Sequence, residues 1–135
     1  MGQNNDSNGI KPFSVNNELY ELIKGYIQNN YDSIKKKLNK KNSIESLKEL
    51  QELLNFYFKD IIGEDLIINC KRAKKSEVKH ICLQYLYDKT FVENIFDPNY
   101  NSIAVHIKDD IFTDFYLIIL AITKVEKNDT INQNS

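Results

Sequence analysis

The chain is poor in the residue types that build cofactor sites and disulfide scaffolds. Its 135 residues include no tryptophan, one methionine, two prolines, four glycines and two cysteines, Cys70 and Cys82. No apolar leader stands at the N-terminus, so the cysteines predict a reducing cytoplasmic compartment and small buried side chains instead of a disulfide. No catalytic, metal-binding or phosphate-binding motif is recognisable, and we expect no cofactor.

The chain has little net charge and no long apolar run. Eighteen lysine and arginine residues balance 19 aspartate and glutamate residues. This balance argues against a general nucleic-acid binder, and the basic cluster at residues 71–79 is typical of a solvated turn. The longest strongly apolar run, residues 116–122, is far shorter than the ~20 residues that a membrane-spanning helix needs, so no transmembrane segment is expected.

Both ends of the chain are polar and rich in asparagine. We predict a disordered leader over residues 1–15, a single α+β domain over residues 16–126 and a disordered tail over residues 127–135. The first residues approach a myristoylation signal at Gly2, but Asp6 occupies the position that should be Ser or Thr. Acylation of Gly2 therefore stays open.

The apolar pattern changes period at Gly63. Before it, apolar residues recur every three or four positions, which predicts one helix over residues 17–40 and a second over residues 42–63. Asn42 and Glu45 have capping-box spacing, and Gly63 is a natural C-terminal stop. The predicted apolar positions of the second helix are Ile44, Leu47, Leu50, Leu53, Leu54, Tyr57, Phe58 and Ile61.

After Gly63 the pattern favours strands. Residues 66–70 form a short β-prone run before a charged turn, and residues 103–107 alternate cleanly between apolar and other side chains. Residues 76–87 fit the strand and helix templates equally. Residues 115–125 are apolar on both faces, so a second layer, such as another protomer, should cover the far side. The resulting fold class is α+β: two N-terminal helices packed on a four-stranded antiparallel sheet.

This order of elements resembles the Tctex-type dynein light chains. In that family a first strand is followed by one ending in a Cys-x-Trp-Asp signature, then by an alternating strand and a strongly apolar final strand. Tyr85 and Tyr87 occupy the positions of the family's cysteine and tryptophan. The matching pieces of this sequence are residues 65–70, 85–88, 102–109 and 115–122.

The resemblance implies a non-enzymatic adaptor of the cytoplasm and the cytoskeleton. Such proteins are homodimers that bind extended peptides by strand addition, which here implies dynein intermediate chain or cargo peptides in a microtubule motor complex. The implied partner-binding edge consists of Ile103, Val105, Ile107 and Lys108. The implied dimer interface consists of Ile81, Leu83, Tyr85 and Tyr87.

An enzyme is the weaker alternative. His80 and Cys82 would share one face of a strand and could form a thiolate pair, with His106 as a further base. No glycine-rich turn is present to build an oxyanion site, so we expect no catalysis. Cys70, His80, Cys82 and His106 also lack the paired close spacing of a zinc site.

A third interpretation is an all-helical interaction module. Residues 76–96 and 103–126 would then both be helices, although the alternation at residues 103–107 argues against this. Phe56, Tyr57 and Phe58 could mark a nucleotide platform, but their place on an amphipathic helix predicts core packing.

Overall fold

The computed structural model describes residues 13–39, 43–80, 93–94, 97, 99–112 and 115–125. Within these ranges a four-stranded sheet and α-helices confirm the predicted α+β class. A short 3₁₀ turn, Lys75–Glu77, follows β2, and residues 78–80 are helical. The elements in chain order are β1 (Ser14–Val15), α1 (Asn17–Asn29), α2 (Tyr31–Leu38), α3 (Ser43–Ile62), β2 (Ile67–Lys74), β3 (Ser102–Lys108) and β4 (Phe115–Thr123).

The sheet is mixed, with the strand order β1-β3-β4-β2. β4 pairs antiparallel with both β2 and β3, as predicted, but β1 pairs parallel with β3. The expectation of a purely antiparallel sheet is therefore wrong. Its source is β1, which lies within the predicted leader and is too short, at two residues, to show any period.

The first predicted helix is two helices, separated at Asn30. The Asn30 backbone N–H and the Asn30 side chain both donate to the carbonyl of Tyr26, at 3.0 and 2.8 Å. An asparagine side chain that bonds to a nearby carbonyl in this way competes with the regular backbone hydrogen bonds of a helix. The carbonyl of Asn30 then accepts from the N–H of Ile34, which starts α2.

β2 is longer than predicted, because it continues to Lys74 through the first residues of the expected turn. Lys71 pairs with Ile118 and Arg72 with Leu117, so the expectation of a charged turn at these residues is wrong. The guanidinium of Arg72 lies 4.7 Å from the ring centroid of Phe115, and this cation–π contact accommodates the charge within the strand.

The strands β3 and β4 also settle one alternative. Residues 103–126 were a helix in the all-helical interpretation, and the pairing of Ile103 with Ile122 and of Val105 with Leu120 excludes it. Residues 81–87, which fitted both templates, lie outside the described residues. None of the helices in the described ranges has the length and apolar content that crossing a bilayer requires.

The core lies on both faces of β4. On one face, Leu117, Ile119 and Ala121 pack with the helices. On the other, Ile118, Leu120 and Ile122 are at most 3% exposed. The single chain thus buries both faces of its most apolar strand, and the burial of these residues does not require a second protomer.

The helix α3 buries fewer of its apolar residues than its pattern predicts. Leu50, Leu54 and Phe58 are buried against the sheet. The prediction of core packing is wrong for five other positions, because their side chains are between 45% and 81% exposed: Ile44, Leu53, Phe56, Tyr57 and Ile61.

Candidate partner-binding edge

The predicted partner-binding residues lie on one strand, β3, but on both of its faces. Ile103, Val105 and Ile107 share the face away from the helices. On that face, Ile103 packs on the buried side chains of β4 that include Ile118 and Ile122. Val105 and Ile107 are 37% and 42% exposed. Lys108 points to the helical face, where its Nζ lies 5.4 Å from the ring centroid of Tyr31. The exposed apolar surface of the strand is therefore formed by Val105 and Ile107.

The beginning of β3 is covered by β1. The N–H of Ser14 donates to the carbonyl of Asn101 at 2.9 Å, and the N–H of Asn16 donates to the carbonyl of Ile103 at 2.7 Å. The pairing ends there because Asn16 is also the N-cap of α1. Its side-chain oxygen accepts from the N–H of Leu19 at 2.9 Å, and the chain turns into the helix.

The remainder of the β3 edge is paired with no strand among the described residues. The direction of backbone groups repeats every two residues along a strand, so Val105 and Ile107 point their N–H and C=O groups to the same side as Ile103. No residue in the described ranges makes a hydrogen bond to these outward groups. Two donors and two acceptors are thus aligned beside two exposed apolar side chains. This is the template that an added strand uses.

The opposite edge of the sheet, formed by β2, is covered by side-chain amides. Asn55 on α3 donates to the carbonyl of Ile68 and accepts from its N–H, both at 2.9 Å. One turn earlier, the side-chain oxygen of Gln51 accepts from the N–H of Cys70 at 3.0 Å. These groups of β2 are unavailable to another strand, so the two edges of the sheet differ in kind.

A buried histidine lies behind the open edge. His106 is 6% exposed on the helical face of β3, with its ring centroid 5.6 Å from that of Tyr20. Neither ring nitrogen has a hydrogen-bond partner in the part of the chain that the structure describes. Burial, with Lys108 and Lys24 nearby, lowers the pKa of His106. These surroundings favour the neutral form of the imidazole.

Among the described residues, those considered for catalysis and metal binding form no metal-holding group. His80 is exposed, His106 is buried, and Cys82 lies outside the described residues. Burial raises the pKa of the Cys70 thiol, which opposes formation of a thiolate. In the described part of the chain, no three histidine, cysteine or acidic side chains are grouped to hold a metal ion.

Some predicted site residues fall outside the described part of the chain, and some residues that shape the sheet edges were not predicted. The implied dimer-interface residues Ile81, Leu83, Tyr85 and Tyr87 lie outside the described residues. The pattern gave no role to Asn16, Gln51 or Asn55, which set the limits of the two edges. The sequence does contain a signal for Gln51 and Asn55. These two amide side chains lie four residues apart, next to the buried apolar positions of an amphipathic helix.

Comparison with known proteins gives no relative: no family model matches the chain, and no curated protein or solved structure does.

Proposed function

We propose that this protein is a non-enzymatic interaction module that binds an extended segment of a partner protein as an additional strand beside β3. The observation that carries the proposal is the open row of backbone groups at Val105 and Ile107, next to a stretch of β3 that already accepts a strand from β1. Backbone hydrogen bonds would supply affinity.

The contrast between the two sheet edges supports this proposal. An exposed edge invites unwanted pairing, and proteins usually cover it. Here Asn55 and Gln51 make three hydrogen bonds to Ile68 and Cys70 of β2. At Val105 and Ile107 of β3, no described residue makes a bond to the outward backbone groups. If the two sheet edges only had to be protected from aggregation, we would expect both of them to be covered.

The side chains around the open edge define the segment that would fit. Alternate residues of an added strand would lie beside Val105 and Ile107, and apolar residues at those positions would extend the apolar surface. Residues between them would lie near Lys108 and its acidic neighbour Asp110, whose carboxylate is 3.5 Å from the lysine Nζ. We therefore propose a partner segment with alternating apolar and polar residues.

The resemblance to Tctex-type dynein light chains extends the proposal. It adds a homodimer in the cytoplasm, association with the microtubule cytoskeleton, and dynein intermediate chain or cargo peptides as partners. The α+β class and the four-stranded sheet agree with that resemblance, whereas the parallel β1 was not part of it.

A peptide library tests the proposal. Random ten-residue peptides displayed on phage are selected against the full chain, and enriched peptides are synthesised and measured by fluorescence anisotropy. N-methylation of alternate amides gives two series of each peptide, and only one series should lose binding, because only alternate amides of an added strand face β3. Equal loss in both series, or no enriched peptide, would contradict strand addition.

Two proline variants locate the binding edge. Val105→Pro removes an outward N–H at the open edge and should weaken peptide binding at least tenfold. Lys74→Pro is the matched control, because Lys74 ends β2 at the other edge and its φ of −62° already suits proline. Unchanged affinity in Val105→Pro would place the bound peptide elsewhere.

A further inference from the structure

The helix α3 carries a second apolar surface that the fold leaves uncovered. We define the α3 outer surface as Leu53, Phe56, Tyr57 and Ile61. Leu53 lies three residues before Phe56 and four before Tyr57, and Ile61 lies four residues after Tyr57, so the four side chains form a continuous stripe along the helix. Phe56 is 81% exposed, and the other three are between 45% and 51% exposed.

The stripe is a defined surface held in place by the core. The Tyr57 ring packs 5.0 Å from the ring of Tyr26 and 4.9 Å from the ring of Phe58, which is buried. Phe56, Tyr57 and Ile61 line a shallow depression of about 560 Å³. At its other end, Leu53 lines a crevice between α2 and α3. An exposed apolar stripe of this length, with Tyr57 anchored by ring contacts, indicates an interaction surface.

Acidic side chains surround this surface. Glu49, Glu52, Asp60 and Glu64 lie within four residues of its members. Two cations lie among them: Lys48, next to Glu49, and Lys59, which lines the same depression as Asp60 and Glu64. None of the four carboxylates forms an ion pair with another described residue. The surface thus offers an apolar stripe flanked by unpaired negative charge.

We propose that the α3 outer surface binds a basic amphipathic helix of a partner protein. Apolar residues of that helix would pack on Leu53, Phe56, Tyr57 and Ile61, and its lysine or arginine residues would lie beside the carboxylates. A helix fits better than a strand, because the backbone groups of α3 are used within the helix and only side chains are offered.

A second copy of this chain fits this surface less well. In a two-fold antiparallel pairing of α3 centred on Phe56, Glu52 would lie opposite Asp60 of the other copy, and the two carboxylates would repel each other. The surface is also separate from the peptide edge proposed above, because α3 packs on β2 at the far side of the sheet from β3. Binding at one surface leaves the other free.

The test uses the full chain and a synthetic probe, an 18-residue lysine–leucine peptide with helical amphipathic spacing, labelled with fluorescein. A scrambled peptide of the same composition and a glutamate–leucine peptide of the same pattern are the controls. Fluorescence anisotropy should show binding of the helical basic peptide alone, and affinity should fall at least fivefold when salt rises from about 0.1 M to 0.5 M.

Variants at exposed positions locate the site without disturbing the core. The double variant Leu53→Ser/Phe56→Ser should lower affinity at least tenfold, and Glu52→Lys/Asp60→Lys should lower it similarly while preserving the apolar stripe. Ile44→Ser is the matched control, because Ile44 is 74% exposed on the same helix but outside the stripe, and affinity should stay within twofold.

Three outcomes would overturn the proposal. Equal binding of the scrambled or the acidic peptide would show that helical amphipathicity or positive charge is not recognised. Equal effects of Ile44→Ser and Leu53→Ser/Phe56→Ser would place binding elsewhere. A dimer in light scattering that disappears in Leu53→Ser/Phe56→Ser would make a second copy the occupant of the surface.

Discussion

Asn55 and Ile68 exchange two hydrogen bonds of 2.9 Å, so that one side-chain amide takes the place of a neighbouring strand at the edge of β2. The same amide also donates to the carbonyl of Gln51, at 2.9 Å, within its own helix. A single side chain thus fastens α3 to the sheet and covers the strand edge. The outward backbone groups of Ile68 are therefore not available to an added strand.

Replacing Asn55 should cost more stability than its partial exposure suggests. Asn55→Ala leaves the N–H and C=O of Ile68 without partners, and we expect the free energy of unfolding to fall by about 1–3 kcal/mol. Urea titration followed by circular dichroism measures the change. Glu52→Ala, at an exposed position of the same helix, is the control and should stay within about 0.5 kcal/mol of wild type. Equal values for both variants would contradict the role of Asn55.

His106 should make the fold sensitive to acid. Its pKa is lowered in the folded protein, so the folded state binds fewer protons than the unfolded state, in which the pKa is about 6.5. The contribution of His106 to stability should therefore be complete above that pH and decrease as the pH falls below about 6.5. Urea titrations across this range measure the loss.

Two histidine variants separate this effect from the titration of other groups. His106→Leu should remove a large part of the acid sensitivity and raise stability at pH 7 by up to about 1 kcal/mol, because two unpaired buried nitrogens are lost. His80→Leu, at an exposed site, should keep the acid sensitivity of wild type. An unchanged pH profile in His106→Leu would show that the charge change at His106 is not responsible.

Two glycines should respond to alanine with opposite signs. Gly63 has a φ of +136°, which is unfavourable for any residue with a Cβ, so Gly63→Ala should destabilise the protein by about 1 kcal/mol or more. Gly25 lies inside α1, and an added Cβ would meet nothing within 4 Å. Gly25→Ala should therefore stabilise the protein by up to about 1 kcal/mol. Thermal unfolding should show a lower melting temperature for Gly63→Ala and a higher one for Gly25→Ala than for wild type.

The parts of the fold that the sequence predicted correctly are those with a clear period or stop. Gly63 predicted the end of α3, and alternation over residues 103–107 predicted β3. The break at Asn30 could not be predicted in this way, because one side-chain hydrogen bond interrupts a pattern that continues on both sides. The two-residue strand β1 owes its pairing to distant residues and has no local signal.

The limits of the candidate site were harder to predict for a related reason. Alternation placed Val105 and Ile107 on one face, but an edge is free or covered according to what lies beside it. Asn16 ends the β1 pairing, and Asn55 covers the other edge, through contacts between residues far apart in sequence. Periodicity likewise predicted Leu53 and Tyr57 as core residues, since it reports apolar spacing and not the width of the layer that packs on a helix.

The orientation of β3 can be tested without any ligand. Val105 should point its N–H away from β4, whereas the N–H of Ala104 should point to β4, opposite Ala121. Native-state amide exchange should therefore alternate, with fast exchange at Val105 and Ile107 and slow exchange at Ala104 and His106. Uniformly slow exchange along β3 would mean that the edge is already covered.

Proline substitution tests the same geometry through stability. Val105→Pro deletes only an outward N–H and should retain the fold with a loss of about 1 kcal/mol, because proline is tolerated where a strand edge meets solvent. Ala104→Pro deletes a ladder hydrogen bond at a buried position and should cost roughly 3 kcal/mol or abolish folding. If Val105→Pro were as damaging as Ala104→Pro, the N–H of Val105 would already be hydrogen-bonded within the chain. An added strand would then have no place to bind.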